Sequence, residues 1–272
     1  MLTEKADYIK SFYVRLLGLK ESVLKPKLVF LHGLLGNGQN WVPVARKFEQ
    51  NFEVLLLDQR GHGRTKEVDG GFAPKDFADD LLLVLDHLNW EKISLVGHSL
   101  GARTAFDFAA RYSDRLDKLV LEDMGPHKTG PASRTTEEII QSVPVPFADR
   151  AAAKAFFADF FEGKYGKVLS DYLYSNLEKK FNGAFDWRFN KKGALEAIEI
   201  GRERDFWGSY EAISTPHLII RGEKSEHLPV DVYQEMLKRN SNAEGVEISG
   251  AGHWVHFDQF GDFVKQVSEF LL

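Results

Sequence analysis

Gly97–His98–Ser99–Leu100–Gly101 places a serine between two glycines, where the apolar run Ile93–Val96 gives way to the helical pattern Ala102–Arg111. G-x-S-x-G in a strand–turn–helix setting lifts a hydroxyl out of a sheet on a sharp turn, which is why its neighbours at minus two and plus two must lack bulk. The serine then sits at a helix N-terminus, where free backbone N–H groups favour developing negative charge. That is the charge an acyl-transfer intermediate carries on oxygen. A serine hydroxyl is a weak nucleophile near neutral pH and needs a base. Of the nine histidines, His253 is the one so placed, in the small-residue loop Ser249–Gly252 between the last strand-like and last helix-like segments. Loops at strand C-termini are where open α/β sheets bind and react.

The remaining histidines read otherwise. His32 and His62 fall in strand-end turns and are expected to hydrogen-bond the backbone. His98 is the variable residue of the serine turn. His256, three after His253, could form a metal pair, but no motif supplies a third ligand and it reads as a helix-face residue. His87, His127, His217 and His227 carry no motif.

The elements that must position these groups follow from periodicity. Lys27–Gly33, Phe52–Gly63, Lys92–Ser99, Lys118–Gly125, Thr215–Gly222 and Glu244–Ser249 are short apolar runs, several ending in turns, of the kind buried on both faces of a parallel sheet, and Ser11–Leu17 reads as a further strand. Asp76–Leu88, Ala102–Arg111, Pro229–Asn240 and Phe257–Leu272 have helical spacing. Strand and helix in alternation predict an α/β fold with a mostly parallel, doubly wound sheet. From His127 to about Trp207 the strand pattern stops, and helical segments dense in Phe147, Phe156, Phe157, Phe160, Phe161 and Trp187 take over. The expected organisation is a core of residues 1–126 and 208–272 with a helical cap of residues 127–207.

Bulk properties exclude several classes. The 272 residues carry a net charge of −5, the opposite of a nucleic-acid binder's usual balance. With no cysteine, disulfides, thiolate catalysis and Cys-ligated metals are excluded. The start, Met1–Lys10, is charged and lacks the apolar stretch of a secretory leader, and no apolar run reaches about 18 residues. A cytoplasmic location without membrane association is expected.

Four motifs in order, His32–Asn37 (HGLLGN), Asp58–Thr65 (DQRGHGRT), GHSLG and Gly250–Asp258 (GAGHWVHFD), resemble the α/β-hydrolase superfamily over nearly the whole chain. The resemblance implies a serine–acid–histidine triad in that chain order. It also implies an oxyanion hole from the backbone N–H groups of Leu34 and Leu100, no cofactor and no metal. Asp58 and its loop correspond to a structural turn. A serine nucleophile sets the chain apart from dehalogenases and epoxide hydrolases, which use aspartate there.

The acid departs from the common pattern. Where the superfamily places G-x-x-D after the next-to-last strand, this chain has Gly222-Glu-Lys-Ser225. Asp123 ends the strand next to the serine's own, about two dozen residues after Ser99, the position used by small bacterial carboxylesterases that this chain resembles. Glu226 is the alternative acid, with Glu223 beside it. Glu122, on the other alternation of the strand, is expected on the opposite face. The expected reaction is hydrolysis of a small carboxylic ester, with the remaining cap aromatics lining an apolar pocket and a monomer or homodimer as the working unit. Acyl-CoA thioesters, C–C bond hydrolysis and, from a different class, a non-catalytic receptor using the capped pocket are the rival readings.

Overall fold

The computed structural model describes residues 9–19, 24–65, 68 and 70–272; the expectation of a leaderless start falls mostly on residues 1–8, outside the described residues. The sheet strands are β1 (Val14–Leu17), β2 (Lys27–Leu31), β3 (Glu53–Leu57), β4 (Ile93–His98) and β5 (Leu116–Glu122). After an excursion carrying the hairpin β6 (Leu177–Lys179) and β7 (Phe185–Trp187), the chain returns to the sheet with β8 (His217–Gly222) and β9 (Ala243–Ile248). The seven sheet strands lie in the order β1-β3-β2-β4-β5-β8-β9. β1 runs antiparallel to β3 and the other pairings are parallel. The winding reverses between β2 and β4, because β3 lies on one side of β2 and β4 on the other. Such a switch point opens a crevice at the strand C-termini.

Alternate residues of each strand feed two cores. Val29, Leu31 and Leu95 face one cluster; Leu28, Phe30 and Val96 face the other. Burial on both faces is why these strands read as unbroken apolar runs. Each fully buried Leu, Val or Phe contributes about 1.5–3 kcal/mol. Helices α2 (Pro74–His87) and α3 (Leu100–Arg111) cover the first face through Leu81, Leu85, Ala105 and Phe106. On the second face, α1 (Val42–Phe48) contributes Val44 and Phe48, and the C-terminal helix contributes Phe263, Val267 and Leu271. Helix α2 starts where Pro74 needs no partner for a missing N–H and where the Asp76 side chain accepts from Ala73 N at 2.9 Å.

The excursion holds α4 (Pro131–Ser142), α5 (Arg150–Ala155), a π-helical turn Phe156–Phe161, α6 (Glu162–Tyr165), α7 (Lys167–Ser175) and α8 (Lys191–Glu203). Its side chains form their own cluster around Ile140, Phe157, Phe161, Leu173 and Trp187, joined to the sheet loops by Leu35. The buried Asn37 amide donates to Asn176 Oδ1 at 2.9 Å across the seam. Three differences from the sequence reading stand out. Leu177–Lys179, read as helix, is a strand, because Gly183 at φ +89° turns the chain back onto Phe185–Trp187. Three-residue strands are too short to override a helical spacing by pattern alone. The cap aromatics named in the sequence pack on one another, as in the 5.2 Å Phe157–Phe161 and 4.7 Å Trp187–Phe189 ring contacts, and do not line the pocket. The closing helix is two pieces broken at Gln259. After α9 (Trp207–Glu211) and α10 (Val230–Arg239) come α11 (Val255–Asp258) and α12 (Phe260–Leu271). No helix among the described residues is long and apolar enough to cross a membrane.

Candidate active site

Ser99 follows β4 directly, with φ +53° and ψ −111°, a conformation side chains rarely adopt. The two glycines are required by contact. A Cβ on Gly97 would stand 2.5 Å from Gly101 O, and one on Gly101 would stand 2.4 Å from Leu31 O. The packed turn holds the serine at the mouth of the switch point, where its N–H donates to Glu122 O at 3.1 Å. Leu100 opens α3, so its N–H has no acceptor within the helix. Leu34 lies in the turn after β2, closed by Gly36 N donating to Gly33 O at 3.1 Å, and lines the same cavity as Ser99 and Leu100.

The structure brings Ser99, His253 and Asp123 together. Ser99 Oγ lies 3.0 Å from His253 Nε2, and His253 Nδ1 lies 2.8 Å from Asp123 Oδ2. A carboxylate only accepts, so Nδ1 carries the proton and Nε2 is left to accept from the serine hydroxyl. Asp123 is fully buried, and burial pushes its carboxyl up. The Ser225 hydroxyl, donating to Oδ2, and Gly222 N–H, donating to Oδ1 at 2.9 Å, oppose that by stabilising the anion. Burial pulls His253 below the usual imidazole range, which keeps the ring neutral at pH 7 and able to accept a proton. Ser225, standing where the superfamily's common acid would be, thus donates to Asp123 on the neighbouring strand. Glu226 is exposed on the cavity rim, and His253 Nδ1 is taken by Asp123. Glu223 turns away, accepting from Gly250 N at 2.7 Å and Ser249 Oγ at 2.9 Å.

A second polar set lies behind the first. Glu122 accepts from His256 N and His256 Nδ1, each at 2.8 Å, and His98 Nε2 donates to His253 O at 2.9 Å. The three are buried and bring ligand-type atoms within 4.8 Å of one another. The pair His253 and His256 that the sequence suggested does not come together as ligands: His253 turns to Asp123 and Ser99, and His256 lies with His98 and Glu122. The contacts of Glu122 are hydrogen bonds that anchor the loop carrying His253. Trp41 stacks on His256 at 4.2 Å. His227 also escaped the sequence reading. It stacks on His253 at 3.8 Å, its N–H donating to Ser225 Oγ at 3.1 Å. Its place in the loop after β8, two residues from Ser225, was the available signal. His32 and Asp58 are structural, as expected. His32 Nε2 accepts from Gln59 N at 3.0 Å, and Asp58 accepts from Gly38 N at 2.6 Å and Arg64 N at 3.0 Å.

Above Ser99 lies a cavity of about 280 Å³. Its walls are Leu34, Leu35, Met124, Ile139, Leu169 and Ile198, with Tyr172 and Trp254 as the aromatic members. An apolar chamber over a hydroxyl, an imidazole and a helix N-terminus can hold an acyl group while its carbonyl is attacked.

The α/β hydrolase fold family matches residues 26–260 of the chain. An sn-1-specific diacylglycerol lipase ABHD11 of Xenopus laevis is 31% identical over 258 residues, covering 92% of this chain and 81% of the relative. The 2-(acetamidomethylene)succinate hydrolase of Mesorhizobium japonicum is 26% identical over 242 residues, covering 88% and 86%. A solved marine microorganism esterase has a TM-score of 0.85 at 29% identity, covering 96% of this chain and 99% of that one. The chain belongs to the α/β-hydrolase family and is a hydrolytic enzyme.

Proposed function

We propose that the enzyme hydrolyses small carboxylic esters through an acyl-enzyme on Ser99. The observation that carries this reading is the continuous hydrogen-bonded line Ser99–His253–Asp123, 3.0 and 2.8 Å, at the floor of the cavity. His253 Nε2 takes the hydroxyl proton as Oγ bonds to the ester carbonyl carbon. The carbonyl electron pair moves to oxygen, where the Leu34 and Leu100 N–H groups receive it; losing one such donor typically costs about 2.7–4 kcal/mol. His253 returns the proton to the departing alcohol oxygen as the C–O bond breaks. Water, deprotonated by the same nitrogen, then attacks the acyl-enzyme and releases the acid and Ser99. Asp123 holds the imidazole tautomer and stabilises its charged form throughout.

Cavity size supports short acyl groups, since about 280 Å³ is at the lower end of ligand sites. The test is a series of p-nitrophenyl esters from acetate to palmitate, with and without a phosphonofluoridate. Fast turnover of the short esters, abolished in step with one adduct on Ser99, is expected. Binding of esters without turnover, or faster turnover of the long chains, would overturn the reading.

A further inference from the structure

Arg103 lies one helical turn beyond Ser99 on α3, and its side chain is buried, 5% exposed. A buried guanidinium is strongly unfavourable without a counter-charge. Arg60 shows how this chain meets that demand elsewhere, reaching Asp80 at 2.6 and 2.7 Å. Among the described residues Arg103 has no acidic neighbour. Its Nη2 donates to the His127 carbonyl at 2.8 Å, its Nε donates to nothing, and the Phe206 ring lies 4.8 Å from the guanidinium carbon. Burial alone moves its pKa, down to about 10, with no carboxylate pulling it back.

The surroundings are shaped for an acceptor that the protein does not supply. Arg103, Thr129 and Gly201 line the same cavity as Ser99 and His253. Thr129 Oγ1 is buried with no hydrogen-bond partner. A Cβ on Gly201 would stand 2.7 Å from Arg103 Nη1 and 3.4 Å from Thr129 Oγ1, so the glycine lets the guanidinium and the hydroxyl lie side by side against the α8 backbone. The cavity's one acidic wall residue, Glu226, is exposed at the rim. An acceptor with two oxygens in one plane matches a guanidinium fork and a hydroxyl. Four residues of helix rise about 6 Å, and long helical side chains lean toward the helix N-terminus, here toward Ser99. An anion meeting Arg103 from the cavity is therefore several bonds from a carbonyl held at Ser99.

We propose that Arg103 and Thr129 bind a carboxylate on the acyl part of the substrate, so that the preferred esters are half-esters of short dicarboxylic acids. The proposal rests on the ester-hydrolase reading and names the substrate class of that site. The test compares mono-p-nitrophenyl succinate and glutarate with the neutral butyrate and valerate esters in wild type, Arg103→Met and Thr129→Val. Wild type favours the charged esters by 10-fold or more in kcat/KM, and Arg103→Met lowers that ratio by about 30-fold, since an unpaired partner is what polar sites reject most strongly. Thr129→Val lowers it less. No preference for the charged esters, or one that survives Arg103→Met, overturns the proposal.

Two further readouts separate its failure from that of the hydrolase reading. Glutarate binding is measured by calorimetry on Ser99→Ala, which needs no turnover. Binding that Arg103→Met abolishes supports the anion site even if no ester is cleaved, whereas no binding, or binding of inorganic phosphate in place of glutarate, overturns it. The melting temperature of Arg103→Met distinguishes a ligand role from a structural one. Replacing an unpaired buried cation leaves it unchanged or higher, and a marked fall makes Arg103 a structural residue and overturns the proposal. If Arg103→Met does not fold, Thr129→Val and Arg103→Lys must each still lower the charged-to-neutral ratio, and a ratio unmoved in both overturns it.

Discussion

Glu122 and Asp123 are neighbours in the chain, yet they head two separate lines of side chains. In front, Asp123 meets His253 at 2.8 Å and His253 meets Ser99 at 3.0 Å. Behind, Glu122 meets His256 at 2.8 Å, while His98 bonds the carbonyl of His253. The lines are built from adjacent or near-adjacent pairs, 98 with 99, 122 with 123 and 253 with 256, divided between the two sides of the strand ends. Both contain a buried carboxylate on an imidazole. The front line ends on a hydroxyl beneath an open cavity; the rear line ends against Trp41 and its apolar cluster. On the proposed reading, a carboxylate–histidine pair is chemical or structural according to what lies beyond the ring.

The largest break of this contrast is Ser99→Ala. It leaves the rear line intact and removes the proposed nucleophile, and kcat on a short ester is expected to fall by about 10⁴-fold or more with the melting temperature nearly unchanged. A smaller effect follows Ser225→Ala, which deprives Asp123 of a donor to its anionic form. One hydrogen bond to a charged group is worth about 1.5–3 kcal/mol, so kcat/KM falls roughly 10- to 100-fold. The acid limb of its pH profile also moves upward, because the carboxyl then protonates more readily.

That serine marks the boundary of what the sequence made legible. The strands, the serine turn and His253 could be read because each is local: an apolar run, a glycine pair, a glycine-bracketed loop. The expected acid, Asp123, with Glu226 as the alternative, was the less local choice, because it depends on strand packing. The Ser225 hydroxyl bridges residues 102 positions apart, and Glu122 reaches His256 across 134. Arg103 carried no sequence signal either. It sits on a helix rich in buried residues, and only the missing partner distinguishes it.

Two milder tests use pH. In wild type, burial holds His253 below the ordinary imidazole range but pushes the Asp123 carboxyl up to about 7, so the acid limb of kcat/KM follows protonation of Asp123 and falls off near pH 7. A rate that stays level down to about pH 5 would contradict this. Stability has its own acid dependence. His32 and His62 are lowered by burial to about 4 and about 3, so below pH 6.5 the unfolded chain binds protons that the folded chain does not. Their contribution is complete above that pH and is lost as pH falls, at up to about 1.4 kcal/mol per pH unit for each ring, which denaturant titrations from pH 7 to 5 would read. The smallest effect is expected from Glu226→Gln, which changes kcat on a neutral ester by less than about 3-fold, since an exposed rim charge makes little net contribution.

The central claim is that the front line performs the chemistry and the rear line only holds it in place. Its most direct measurement is kcat/KM of Asp123→Asn beside Glu122→Gln on the same short ester, with folding checked by melting temperature. A loss of about 10⁴-fold for Asp123→Asn is expected, because an amide supports the wrong imidazole tautomer. Glu122→Gln is expected to cost stability and no more than roughly 30-fold in rate. Equal losses, or the larger loss at Glu122, would contradict the division between the two lines.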